Sequence, residues 1–84
     1  MRRTYNSCLE GVMQDHEMSD KAQRAFAVGF EIGEQGAEDG VFLTECLEKA
    51  SAMAVLIFGS TNEATFFCRR GCISGFNNAL KDEG

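Results

Sequence analysis

Apolar residues recur along this chain at intervals of three and four. Strict alternation is scarce, and no proline interrupts the pattern. That period is the helical one, and it predicts four helices. The first covers residues 4–17, with Tyr5, Leu9, Val12, Met13 and His16 on one face; Gly11 weakens it without forbidding it. The second covers 20–35, behind Ser19, a good N-cap residue. It turns Ala22, Ala25, Phe26, Gly29, Phe30, Ile32 and Gly33 inward, and the glycines of GAEDG (36–40) supply its stop. The third covers 41–58, with Phe42, Leu43, Cys46, Leu47, Ala50, Met53, Ala54 and Ile57 in its stripe. Val55 and Leu56 make its last turns apolar almost all round, which predicts burial on several sides, and Gly59 ends it. The fourth covers 61–81 and opens with Ser60-x-x-Glu63, the pattern of a capping box. Linkers this short favour antiparallel neighbours. The expected fold is all-α: one compact, four-helix bundle-like domain over residues 1–84.

The fourth helix carries two rows. Phe66, Ile73, Phe76 and Leu80 lie on one side of its apolar arc, and Ala64, Cys68, Gly71, Cys72, Gly75 and Ala79 lie on the adjacent side. The second helix repeats the small-residue idea with Ala22, Ala25, Gly29, Gly33 and Gly36. Glycine within a helix costs about 1 kcal/mol relative to alanine, and a whole domain is stable by only about 5–15 kcal/mol. Gly29, Gly33, Gly71 and Gly75 therefore point to a compensating close approach. Three occupants fit it: the second and fourth helices crossing each other there, a second subunit, or a ligand lying against the row.

Composition narrows the classes of function. The longest apolar run, residues 52–58, is seven residues, against about 20 for a membrane span. A net charge of −5 opposes direct binding to nucleic acid, which needs a positive surface, and suits a protein partner. The basic start MRRTYNSCLEG lacks the apolar stretch of a secretory signal. The expected location is cytoplasmic, with Cys8, Cys46, Cys68 and Cys72 as reduced, buried thiols.

Candidate chemistry is sparse. Cys68 and Cys72 share one helical face and could join Cys46, Cys8 or His16 around a metal, but their spacing is not that of a zinc finger or ribbon. No metal and no cofactor are expected. His16, the one histidine, has no nucleophile or acid set beside it by any motif. The Glu-x-x-His pair of di-iron bundles, the phosphate-binding loop and the nucleophile elbow are all missing from the sequence, so no enzymatic activity is expected. Arg69 falls among Phe76 and Leu80, inside the apolar arc. An arginine there must meet an anion or snorkel to water, which makes it an interface or anion-binding candidate, while Arg70 points to solvent. Phe67 lies off the arc and reads as an exposed aromatic anchor. Six acids between Glu31 and Glu48, including Glu38 and Asp39, form either a solvated face or a docking surface for a basic partner.

These features favour a small acidic interaction protein. It would be a regulator or inhibitor, of the kind found among phage accessory proteins, that binds a protein partner, homo-oligomerises, or both. The alternatives are a binder of a small anionic metabolite or nucleotide at the small-residue stripe and Arg69, and a cysteine-based metal protein.

Overall fold

The computed structural model, which describes residues 3–81, contains four helices: α1 (Tyr5–Asp15), α2 (Asp20–Glu38), α3 (Leu43–Phe58) and α4 (Asn62–Lys81). Their order and the absence of strands among the described residues make the fold an all-α helical bundle.

The bundle is organised by one pair. α2 and α4 run parallel and in backbone contact, because neither presents a side chain at the crossing. A Cβ on Gly29 would stand 2.7 Å from the Cys68 carbonyl carbon and 2.9 Å from the Cys72 amide, and nearer still to the Cys68 oxygen. One turn on, a Cβ on Gly33 would meet the carbonyl of Cys72 and the amide of Phe76. The arrangement is reciprocal: Gly71 lies on the backbone of Phe26, and Gly75 on that of Phe30. The four glycines are thus core, at a contact where no other residue fits. Of the readings open to the small-residue rows, the intramolecular crossing is the one the structure contains. These positions are out of reach of a ligand or a second subunit.

α1 and α3 lie in the two grooves flanking this pair. Antiparallel α3 brings Ala50 and Ala54, both fully buried, against α4, and sets the Cys46 sulfur over Gly36. α1 also runs antiparallel. Tyr5 packs on Phe26 and Phe30, with ring centroids 5.9 and 5.1 Å apart, while His16 at its far end meets Phe66 and Phe67 edge-on. The result is flat, 35 × 26 × 14 Å.

The ends of the helices follow local chemistry. Ser19 caps α2 by accepting from the Ala22 amide at 3.1 Å. Gly36 does not stop α2, because it is buried beneath Cys46. The helix runs to Glu38, and Gly40, at φ 75°, turns the chain. Gly59, at φ 83°, closes α3. The expected capping box at Ser60 is replaced. Thr61 accepts from the Ala64 amide at 3.3 Å, and the Glu63 carboxylate accepts from the Ser19 hydroxyl at 2.9 Å. That bond ties together the N-termini of the parallel pair.

The interior is made of small residues. Alanines, cysteines and glycines make up most of it, together with Val12, Met18, Phe26, Phe30 and Phe67. None of the five leucines or three isoleucines is buried. α3 departs most from expectation: it is buried only through Cys46, Ala50 and Ala54, and Val55, Leu56 and Ile57 face solvent, Leu56 at 78% exposure.

Candidate functional site

α4 has two faces of opposite character. The inner one holds Ala64, Phe67, Cys68, Gly71, Cys72, Gly75, Asn78 and Ala79. Phe67 is therefore no exposed anchor: it is buried and covered by His16, and the exposed aromatic is its neighbour Phe66. The inner arc is centred on the small residues and not on the large ones, which moves Phe67 in and Phe66 out.

The same rotation moves Arg69. It is exposed, and its Nη1 donates to the Ser51 hydroxyl of α3 at 3.1 Å. It still lies between Phe76, half-buried against the core, and Leu80, which is exposed, and because Arg69 itself reaches solvent no buried anion is required. Phe66, Arg69, Ile73, Phe76 and Leu80 follow one another at spacings of three and four along this outer face. That is the spacing of a two-helix packing seam. Phe66 and Leu80 are 46% and 44% exposed, and Ile73 and Phe76 are partly so. From Ala64 to Lys81 the helix carries no acid, in a chain whose net charge is −5.

Cys68 and Cys72 face inward, and both are completely buried. The Cys68 thiol donates to the Ala50 carbonyl at 3.2 Å, a bond that the small Ala50 allows α3 to approach and make. Burial pushes the Cys68 thiol up to about 11. Burial, then the neighbouring thiols of Cys46 and Cys68, push Cys72 up to about 12, with only a small opposing pull from Arg69. Both are protonated at neutral pH, whereas nucleophiles and metal ligands are thiolates. All four cysteines are free, and among the described residues no group of three or more His, Cys, Asp or Glu is arranged to hold a metal.

The acidic run stays at the surface. Glu38 and Asp39 are exposed at the end of α2, where Gln35 donates to both Asp39 carboxylate oxygens at 3.1 Å. A shallow apolar groove of about 380 Å³ separates α2 from α3, lined by Val28, Ile32, Met53 and Ile57 with Glu31 and Lys49 at its edge. No helix is long and apolar enough, among the described residues, to cross a membrane. Arg70 is exposed and turned toward α1. There it lines a polar groove with Arg3, Ser74, Asn77, Asn78 and Lys81. The sequence showed one sign of this second site, the polar Asn78 on the inner arc of α4. It makes two 2.7 Å bonds, accepting from the Arg3 amide and donating to the Arg3 carbonyl.

Comparison with protein-family models, with curated proteins and with solved structures finds no match to the chain.

Proposed function

We propose that this protein is a small helical interaction module, a regulator or inhibitor that works by occupying a protein surface, and that the outer face of α4 is its contact surface. The observation that carries the reading is the inversion of size. Leucine and isoleucine are among the residues most often buried, yet here none of the eight is fully buried and Leu56, Ile57 and Leu80 are exposed, and on α4 Ile73 and Leu80 fall at packing-seam spacing. Exposed apolar surface of this kind marks an interaction site. The reading assigns the chain no reaction.

The first occupant of this face is a second copy of the chain. An antiparallel two-fold pairing centred on Ile73 sets Ile73 against itself, Phe66 against Leu80 of the second copy, and Arg69 over the ring of Phe76 of the second copy. An arginine over an aromatic face is attractive. The two Arg69 side chains stay roughly 12 Å apart along the helix at a rise of about 1.5 Å per residue, beyond the screening length of about 8 Å at physiological salt. Because α4 bears no acid over this stretch, two copies meet here without bringing carboxylate against carboxylate.

One helix-to-helix seam is a small interface, at the low end of specific ones. Sedimentation equilibrium between about 5 and 500 μM should therefore show a reversible dimer, with an affinity in the micromolar range. Ile73→Glu should abolish it while leaving the helical circular dichroism unchanged. A wild-type chain that stays monomeric over that range, or a dimer that Ile73→Glu does not weaken, refutes the assignment.

A further inference from the structure

We infer that the groove between α1 and α4 is a binding site for the phosphate group of a small molecule. Three of the chain's eight basic residues converge on it: Arg3, Arg70 and Lys81. Ser74 and Asn77 add hydroxyl and amide donors, and no carboxylate lines it among the described residues. In an acidic protein this concentration of positive charge stands out, and charge-assisted bonds from several convergent donors are what a phosphate requires.

The groove is built, not incidental. Asn78, which is buried, holds the backbone of Arg3 on both sides with its two 2.7 Å bonds. The Arg3 side chain is folded back on α1, with Nε and Nη2 donating to the Ser7 hydroxyl at 3.1 and 2.9 Å and Nη2 also to the Ser7 carbonyl at 3.1 Å. These bonds give the guanidinium a fixed base on α1 and do not involve Nη1. Preorganisation of this kind lowers the ordering cost of binding.

Gly11 is the independent sign. Of the six glycines inside helices, five have a neighbour that a Cβ would strike: Gly29, Gly33, Gly71 and Gly75 at the α2–α4 crossing, and Gly36 under Cys46. Gly11 is exposed, and a Cβ there would meet only Arg3 Nη2, at an ordinary 3.9 Å. Packing between helices does not account for it. It lines this groove beside the Arg3 guanidinium, where the missing side chain keeps the space open. The volume, about 250 Å³, is just below the range of about 300–1,000 Å³ typical of drug-sized ligands. It fits a phosphate carrying a few carbons, with Val12 and Cys8 as the apolar wall. The inference does not depend on what α4 pairs with.

The test is a titration of the full chain with inorganic phosphate and with glycerol phosphate, followed by amide NMR shifts at constant ionic strength against chloride. Saturable shifts should cluster at Arg3, Gly11, Ser74, Asn77 and Lys81. Arg70→Ala should weaken binding by about tenfold, as loss of one charged hydrogen bond implies. Arg69→Ala, one residue away but outside the groove, should leave it unchanged. Gly11→Leu, on an exposed helical position, should block binding while the protein stays folded. In parallel, flotation with vesicles containing phosphatidic acid separates a lipid headgroup from a free ligand, and no flotation is expected. The inference is overturned by shifts that do not saturate by about 20 mM, well above the millimolar dissociation constant of a weak complex, by equal effects of Arg69→Ala and Arg70→Ala, or by binding to the vesicles alone.

Discussion

Replacing Gly29 with alanine tests the fold at its tightest point. On an isolated helix the change would stabilise by about 1 kcal/mol. Here the added methyl must enter a contact between two backbones. Its nearest carbon neighbour would be the Cys68 carbonyl carbon at 2.7 Å, and ordinary contact begins near 3.4 Å. No rotamer change can relieve the overlap, because the obstructing atoms are main chain, so the helices must separate by at least about 0.7 Å, enough to forfeit a quarter or more of the dispersion energy of the atoms concerned. The neighbouring contacts at Gly33, Gly71 and Gly75 loosen with it. Overpacking typically costs about 1–3 kcal/mol; a rigid seam belongs at the upper end, about 3 kcal/mol even after the helix-propensity gain. For a domain of this size that is a fall in Tm of about 12–24 °C. Thermal unfolding by circular dichroism measures it, with Gly11→Ala as the internal comparison. Gly11 is helical but unobstructed, so Gly11→Ala should raise Tm by a few degrees. If Gly29→Ala is as stable as wild type or more so, α2 and α4 do not meet in backbone contact and the account of the core fails.

Two further outcomes follow from the same geometry. Ser19→Ala removes both the α2 cap and the acceptor's partner at Glu63, and should cost about 1–2 kcal/mol, whereas Ser60→Ala should fall within about 0.5 kcal/mol of wild type; urea unfolding that ranks them the other way would restore the capping box at Ser60. The thiols predict a pH dependence: Cys68 and Cys72 titrate near 11 and 12 in the folded chain against an ordinary 9.0. The folded state therefore holds its protons longer than the unfolded one, so this contribution is complete below about pH 9 and is lost as pH rises toward 12. The raised Tyr5 acts in the same direction. The urea midpoint should be lower at pH 10.5 than at pH 8, and a constant or rising midpoint would contradict the burial of these groups.

The number of helices and the caps at Ser19 and Gly59 were legible in the sequence, because each rests on local chemistry: a period, a hydroxyl, a positive φ. What misled was transfer energy. Phe66, Ile73, Phe76 and Leu80 are more hydrophobic than Ala64, Cys68, Gly71 and Gly75, so area bookkeeping places them inward. The penalty of Gly71 and Gly75 within the helix argues for the adjacent side of the arc, and that is the one the structure buries. The errors at Phe67 and Arg69 are a single error, a rotation of α4 toward its larger residues. The exposure of Leu56 and Ile57 has a related cause: α3 approaches closely enough for Ala50 to accept from Cys68 only by presenting its smallest side chains. The groove at Arg3 and Arg70 was hidden for another reason. Its residues come from opposite ends of the chain, and only the antiparallel docking of α1 on α4 brings them together.

The small core and the apolar surface are then one fact. Two helices whose backbones touch enclose little volume between them, and a bundle built around them is only 14 Å thick in its shortest dimension. Beyond Phe26, Phe30 and Phe67 the interior has room for few large side chains, and the seam that holds α2 to α4 turns Phe66, Ile73 and Leu80 away from it. On the proposed reading, stability and association fall on opposite faces of α4 and are separable by mutation. Changes at Gly71 or Gly75 should lower Tm, and through it any assembly. Polar changes at Ile73 or Leu80 should dissolve assembly while leaving Tm, extrapolated to low concentration, where it was. A variant at Ile73 that unfolds the isolated chain would show that the outer face is structural after all, and that the large residues lie outside for a reason other than contact with another protein.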